Sequence, residues 1–439
     1  MILTALHDYY EQLASQPDSG IAPRGYSYEK ISFALVINAE GTLVDLMDLR
    51  DTSSNSPKPT RMLVPQSETR TSAVKAFFLW DKTSYVLGVS NVEEADEAKH
   101  QKRLRRIQQE HEAFKARHED TLGAVSDVGL QALVEFLRGW EAEQFQQSTI
   151  LKDEILDTNL VFRLDGEQNF IHERPAAKQL LAENVGSSQA PEGTCLVTGN
   201  IAPISQSHPA IKGVKGAQSS GAYIVSFNDK AYESYGKIQG DNAPVSEGVA
   251  FAYTTVLNHL LRGGPDNHQR IQIGDATTVF WALVDDQKQA QAAEMTFAEM
   301  LNPGASDESE TERLKRLLDS VARGQPLREL DPGLNDDAQI YVLGLAPNAS
   351  RLSIRYWETG SLQSFAQRMA QHFEDLKLDP LPWKTFPGIW RLLLEVTPHH
   401  GPDKKGKWDD IPPQLAGELT RSILTGRRYP RSLLTNIIM

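Results

Sequence analysis

The sequence predicts a multi-domain α+β fold of antiparallel hairpins with interspersed helices and no Rossmann or P-loop core. Three observations carry this expectation. Strand-like runs come in pairs around turn residues, amphipathic helical stretches fall between the pairs, and no sustained βαβ alternation appears. The 439 residues are enough for several domains, and no internal repeat is visible.

Taken in order, Ile2, Leu6, Tyr9 and Leu13 recur at helical spacing, and Pro23 to Gly25 ends that helix. Residues 31–38 and 43–49 read as strands joined by Asn38-Ala39-Glu40-Gly41; 62–65 and the aromatic stretch 77–89 are expected to extend the same sheet. Between them, Arg70 to Lys75 is polar and aperiodic, a loop. Residues 92–118 predict a helix charged on all sides, exposed or bridging to a partner. A second helix, capped by Ser126, puts Leu130, Leu133, Val134, Leu137 and Trp140 on one face and completes an αα-hairpin. Asp165-Gly166 between 160–164 and 168–172 is a hairpin signal. After a short helix at 176–185 comes the least regular part, 193–240, rich in Gly, Ser, Asn and Lys. Ser246 caps a helix carrying Val249, Tyr253, Val256, Leu257 and Leu260, and 270–284 reads as a strand pair. The stretch 285–337 is partly helical, and its 13 acids against 6 bases mark it as a linker. Strands at 340–345 and 352–357 flank Pro347-Asn348-Ala349-Ser350. Ser361 then opens a helix with Leu362, Phe365, Met369, Phe373 and Leu376, and 412–439 is helical with a break at Pro430. Four regions follow: 1–150, 151–284, 285–337 and 338–439.

Composition is that of an ordinary globular protein, with no apolar run of membrane-spanning length and no secretory leader, which predicts a cytoplasmic protein with no membrane partner. One cysteine, Cys195, excludes an internal disulfide framework and a multi-cysteine zinc site. The net charge of −13 argues against a nucleic-acid coat, yet the charge is uneven. Between Thr52 and Val92, Lys58, Arg61, Arg70, Lys75 and Lys82 face only Glu68 and Asp81, and no acid falls between Glu192 and Asp229.

No catalytic or metal constellation emerges. Gly401 to Lys407 has Walker A spacing after a strand-like 392–396. Trp408 replaces the magnesium-binding hydroxyl, however, and Pro412-Pro413 follow where a helix must start. His399 and His400 are adjacent, His111 and His118 are seven apart, and His7-Asp8 stands alone; surface or capping positions account for all of them. Gly216 to Gly221 lacks the spacing of a nucleophile elbow, and Cys195 reads as a small buried apolar residue. Neither catalysis nor any cofactor or metal is expected.

Three surfaces suit nucleic acid. Lys58, Arg61, Arg70, Thr71, Ser72 and Lys75 combine charge with short hydroxyls. Asn200 and the loop with Lys212, Lys215, Gln218, Ser219 and Ser220 combine glycines, lysines and neutral donors. Alternation along the strand places Arg351, Ser353, Arg355 and Trp357 on one basic, stackable face; a half-buried strand with Trp357 in a small core is the alternative.

The same stretches carry a family resemblance. Met1 to Leu6, Lys30 to Leu35, Arg70-Thr71-Ser72 and Phe78-Leu79-Trp80-Asp81 take part in it. So do Val197-Thr198-Gly199, His208-Pro209, Ile211 to Val214, Gly216 to Gly221, Ser226-Phe227-Asn228, Ser234-Tyr235-Gly236-Lys237, Asn242 to Glu247 and Tyr341 to Asn348. Together they resemble the large subunit of the type I-C (Dvulg subtype) CRISPR-associated Cascade surveillance complex, over nearly the whole chain. The resemblance implies a non-catalytic subunit that recognises the protospacer-adjacent motif in duplex DNA, aids strand separation and R-loop formation, and offers a docking platform for a helicase-nuclease. Its partners would be crRNA, double-stranded target DNA, the backbone and handle-binding subunits of Cascade, and that helicase-nuclease. It assigns DNA inspection to 1–150 and contact with RNA or a neighbouring subunit to the 200–220 loop, and it expects 338–439 to lead to a helical bundle beyond these residues. A structural subunit touching only the RNA 5′ handle and its neighbours is the alternative.

Overall fold

A computed structural model of the chain describes residues 1–16, 18–53, 56–67, 70, 74–92, 96–186, 190–264, 266–303, 308–380, 387–397 and 410–438. The fold is α+β, as the sequence predicts, and the chain forms two compact units. One is Ala22–Pro191; the other joins Met1–Ile21 to Glu192–Met439. Helix α1, Ile2–Ala14, opens the chain and belongs to the second.

The unit Ala22–Pro191 contains, in order, β1 (Tyr26–Ile31), β2 (Phe33–Ile37), β3 (Leu43–Asp48), β4 (Thr60–Pro65), β5 (Trp80–Lys82), α2 (Thr83–Val86), α3 (Glu97–Leu122), α4 (Val128–Gly139), α5 (Gln144–Gln147), β6 (Asn159–Leu164) and α6 (Pro175–Gly186). Its main sheet has the order β3-β2-β6-β5, with β2 antiparallel to β3 and parallel to β6. Residues 62–65 leave this sheet: β4 pairs with β1 in a separate ribbon that sets Lys30 opposite Arg61. Of 77–89 only β5 is strand, and Thr83 turns the chain into α2. The hairpin expected around Asp165-Gly166 reduces to one bridge, Arg163 to Phe170. β6 pairs through Leu160–Leu164 with β2 and through Asn159–Val161 with β5, which leaves a returning strand only the short edge where that bridge forms. Helices α3 and α4 form the expected pair, but Asp127 caps α4 rather than Ser126. The Asp127 carboxylate, like that of Asp96 at α3, accepts two first-turn N–H groups, which a serine hydroxyl does less strongly.

The second unit continues with β7 (Glu192–Thr194), β8 (Ile201–Pro203), α7 (Glu247–Leu260), β9 (Arg270–Ile273), β10 (Ala276–Leu283), α8 (Gln287–Leu301), α9 (Glu308–Ala322), α10 (Leu327–Leu330), β11 (Gln339–Asn348), β12 (Arg351–Ser361), α11 (Leu362–Asp375), α12 (Ile389–Glu395), α13 (Pro413–Thr425) and α14 (Arg431–Ile438). Ser246 and Ser361 cap α7 and α11 as the sequence predicts, whereas 392–396, read as a strand, is largely the end of helix α12. Strands β9 to β12 form one antiparallel meander buried on both faces. Alternation sorts its side chains. Val279, Trp281 and Leu343 pack with α1 and α7, while Phe280, Ala282, Ile340 and Val342 pack with α8, α9, α11 and α13. The acid-rich stretch 285–337 supplies Ala293, Phe297, Leu314, Leu317 and Leu318 to that second cluster.

β9 covers only the first half of β10, ending opposite Val279. Beyond it, the Phe280 N–H donates to Gln269 O at 3.1 Å, the Ala282 N–H to Glu294 Oε1 at 2.9 Å, and the Val284 N–H to Gln12 Oε1 at 3.3 Å. Tyr9 Oη also donates to Glu294 at 3.1 Å and accepts from Gln269 at 2.9 Å. Thus α1 and α8, from opposite faces of the sheet, meet at this edge. Burial pushes the Glu294 carboxyl up to about 7, against the hydrogen bonds it accepts.

A carboxyl whose folded-state value is raised favours the native state below its unfolded value, and that advantage is lost as pH rises through the folded value. Glu294→Gln is therefore expected to gain stability relative to the wild type between pH 4.5 and 7, by up to about 3 kcal/mol. Thermal midpoints of both proteins across that window measure it. A difference that stays flat, or shrinks as pH rises, contradicts the assignment.

Candidate nucleic-acid interface

In the unit Ala22–Pro191 the β1–β4 ribbon gathers cations. Lys30 and Arg61 face each other across it and both are exposed. The Arg61 guanidinium lies 4.3 Å over the Tyr28 ring. Lys58, also exposed, is held three residues earlier by backbone hydrogen bonds in both directions with Asp51. Lys30 escaped the sequence reading because it is an isolated base; only the strand register brings it to Arg61.

Arg70 plays a different part. Its guanidinium pairs with Asp81, which is fully buried, and lies 3.6 Å over the Phe77 ring and 3.8 Å over Tyr85. Its Nε donates to Lys75 O at 2.6 Å. Asp81 also accepts the Phe77 and Lys82 N–H groups at 2.8 Å. Burial pushes the Asp81 carboxyl up while Arg70 and the N–H donors hold it down, for a net rise. Two groups of α3 fix the same segment: Arg117 donates to Ala76 O, and the Leu79 N–H donates to His118 Nε2 at 2.9 Å. Lys75 is exposed. Thr71 and Ser72 lie outside the described residues.

In the second unit the loop 212–221 hangs on two core elements. The Lys212 N–H donates to Asn258 Oδ1 of α7 at 2.7 Å, and the Lys215 N–H to Thr277 Oγ1 of β10 at 3.0 Å. Gly213 has φ +95°, and a Cβ there would stand 2.8 Å from Leu261 O, so the close approach to α7 requires glycine. Lys212, Lys215, Gln218, Ser219 and Ser220 are exposed. Arg270 donates to Gly213 O at 2.9 Å and adds a cation that the sequence reading missed. Asn200 lies elsewhere, in the turn where the Cys195 N–H donates to Asn200 O.

The single face expected for Arg351, Ser353, Arg355 and Trp357 does not form. β12 carries a bulge at Arg355: Leu345 opposes Ile354, while Gly344 opposes Tyr356. The extra residue inverts the alternation, so Leu352 packs with the α1–α7 cluster and Tyr356, four residues on, with the opposite one. Trp357 stacks on Tyr341 at 5.6 Å and lies 5.7 Å from Trp281, half-buried. Arg355 pairs with Asp275 at 2.6 Å. Arg351 alone reaches the loops, donating to Asn228 at 3.2 Å with its guanidinium 4.0 Å over Tyr232.

His111 and His118, expected at the surface, are core residues of α3, since their spacing follows its buried stripe of Ile107, Phe114 and Leu122. Burial pushes His118 down to about 4. His7 sits at the surface beside Asp8 and Glu11. His399, His400 and the Gly401–Lys407 motif lie outside the described residues. Among the described residues no group of three or more His, Cys, Asp or Glu is arranged to hold a metal, and no helix is long and apolar enough to cross a membrane. Cys195 is buried and its Sγ accepts the Ser246 N–H at 3.3 Å.

Exposed basic ribbons and loops on an α+β scaffold fit the comparison with known families. The family model described as CRISPR-associated protein (Cas_Csd1) matches residues 6–439. The chain is thus a CRISPR-associated protein. Within that class it belongs to the Cas_Csd1 family, that of the large subunit of type I-C Cascade. A search among curated proteins returned no match.

Arg70 and Lys58 should respond differently to truncation. Arg70→Ala strands the buried Asp81 carboxylate and is expected to cost about 3–5 kcal/mol, read by hydrogen exchange of the β5 and α3 amides. Lys58→Ala should stay within about 0.5 kcal/mol. Equal, small losses would remove Arg70 from its structural role.

Proposed function

We propose that this Cascade subunit inspects the protospacer-adjacent motif of duplex target DNA with the β1–β4 ribbon and the adjoining 70–75 loop. The observation that carries the reading is the exposed pair Lys30 and Arg61 on a two-stranded ribbon, with exposed Lys58 just before it, in a chain whose net charge is −13. An antiparallel ribbon has the width of a DNA groove, and cations at its rim hold the phosphates while short hydroxyls such as Thr71 and Ser72 reach base edges. Lys75 adds a cation beside them, and Arg70 anchors the loop. After motif inspection the subunit aids strand separation and R-loop formation and offers a platform to the helicase-nuclease, roles that rest on family membership. The 212–221 loop, flanked by Arg270 and Arg351, contacts crRNA or the subunit that holds it. None of these roles requires a catalytic residue or a cofactor.

The test is an assembled complex carrying Thr71→Ala, Ser72→Ala and Lys75→Ala, assayed on targets with correct and altered motifs at one salt concentration. Loss of discrimination, at about 1–3 kcal/mol per lost base contact, is the expected result. Uniform weakening on both targets would reduce the loop to a phosphate anchor, and no effect would move inspection elsewhere. For the second loop, Lys212→Glu with Lys215→Glu is expected to impair assembly or target binding while leaving the isolated chain's thermal midpoint within about 1 °C, because only exposed side chains change. A large fall in that midpoint would make the loop part of the core.

A further inference from the structure

Tyr235 combines two unfavourable features. It is 99% exposed, and its backbone φ is +53°. Ser234 and Lys237 bridge across it, with the Lys237 N–H donating to Ser234 O at 2.9 Å, so Tyr235 and Gly236 are the central pair of a tight turn. Gly236 has φ +72°. Two positive φ values in sequence belong to a type I′ turn, whose first central position suits Asn, Asp or Gly. A tyrosine there strains the backbone, and its ring packs on nothing that would offset the strain. An outlier of this kind, retained without a folding benefit, points to a contact made outside the chain.

The surroundings indicate what the ring meets. Residues 228–239 are all exposed, and Lys230 and Lys237 flank the turn. Tyr232 carries the Arg351 guanidinium over its ring. Of the two acids, Asp229 accepts the Ala231 N–H at 2.9 Å, and both it and Glu233 are exposed. Tyr223, before this segment, bridges to Arg351 at the turn between β11 and β12, where Pro347 stands beside Gly216 of the lysine loop. A protein interface of ordinary size covers about 800 Å² on each side and needs a broad apolar centre. Tyr232 and Ile238 add only two partly exposed apolar side chains to Tyr235, and with Lys230 and Lys237 among them the patch matches a base-stacking platform.

We propose that Tyr235 stacks on an unpaired base of single-stranded nucleic acid, with Lys230 and Lys237 holding the flanking phosphates. The inference rests on the reading above that this subunit touches nucleic acid, and it adds a single-strand site in the unit that does not hold the β1–β4 ribbon. The chemistry is shared by a DNA strand released from its duplex and by an RNA.

The experiment measures fluorescence anisotropy of labelled oligothymidine and oligouridine of about 12 nucleotides, with a DNA duplex alongside, on the full chain. Tyr235→Asn relieves the turn and should raise the thermal midpoint by about 2 °C. The same substitution should weaken single-strand binding roughly 5- to 150-fold and leave duplex binding unchanged; Tyr235→Trp should retain single-strand binding. Greater stability with lost binding is a combination that a structural role for the ring does not produce. A larger loss on oligothymidine assigns the site to DNA, and a larger loss on oligouridine to RNA. Single-strand affinity unchanged in Tyr235→Asn overturns the proposal, as does a variant that binds oligonucleotides normally but no longer assembles with other subunits, which would give the ring a protein partner. Wild-type protein that binds no duplex, yet binds single strands through Tyr235, would instead count against motif inspection and leave this site standing.

Discussion

Where β10 runs past the end of β9, its amides face the interior, and a buried amide must find an acceptor or the fold loses the full cost of desolvating it. Three acceptors arrive from three places: the chain before β9, a carboxylate on α8, and an amide on α1. That requirement explains why a helix at the start of the chain packs with a sheet formed more than 250 residues later, and why residue 294 is acidic on an otherwise apolar helix face. It also explains why Tyr9 keeps its hydroxyl in a position where phenylalanine would fill the space. The meander packs on both faces, and the lysine loop is suspended from it through Thr277 and from α7 through Asn258.

The smaller unit obeys the same rule with ionic groups. Asp81 is buried because β5 enters the main sheet, and its charge must be matched nearby. Arg70 supplies the match and also donates to the backbone of Lys75. One residue therefore both matches the buried charge of the strand and ties position 70 to position 75.

Local signals were legible in the sequence and distant ones were not. Ser246 and Ser361 announce their helices because a cap is a matter of three residues, and the β11–β12 hairpin is marked by its own turn. The pairing of β1 with β4 and of β2 with β6 depends on which edge is vacant after the rest has packed, and no window of sequence contains that information. The same limit hid Lys30, whose meaning comes from Arg61 opposite. For β12 the alternation is real on either side of Arg355, but one extra residue inverts it and carries Trp357 into an aromatic cluster. Along α3 the abundance of charge concealed a narrow buried stripe that includes two histidines.

Placing α1 in the unit Glu192–Met439 has a consequence for synthesis. The helix leaves the ribosome with Leu6, Tyr9 and Leu13 ready to pack, but Trp281 and Glu294 are not yet translated. At about 5–20 residues per second the wait is roughly 15–60 seconds. During that interval the whole of Ala22–Pro191 can emerge and fold, while α1 stays tethered ahead of it with an uncovered apolar face. The apolar face of α1 is therefore covered only after α7 and the strands β10 and β11 have been made.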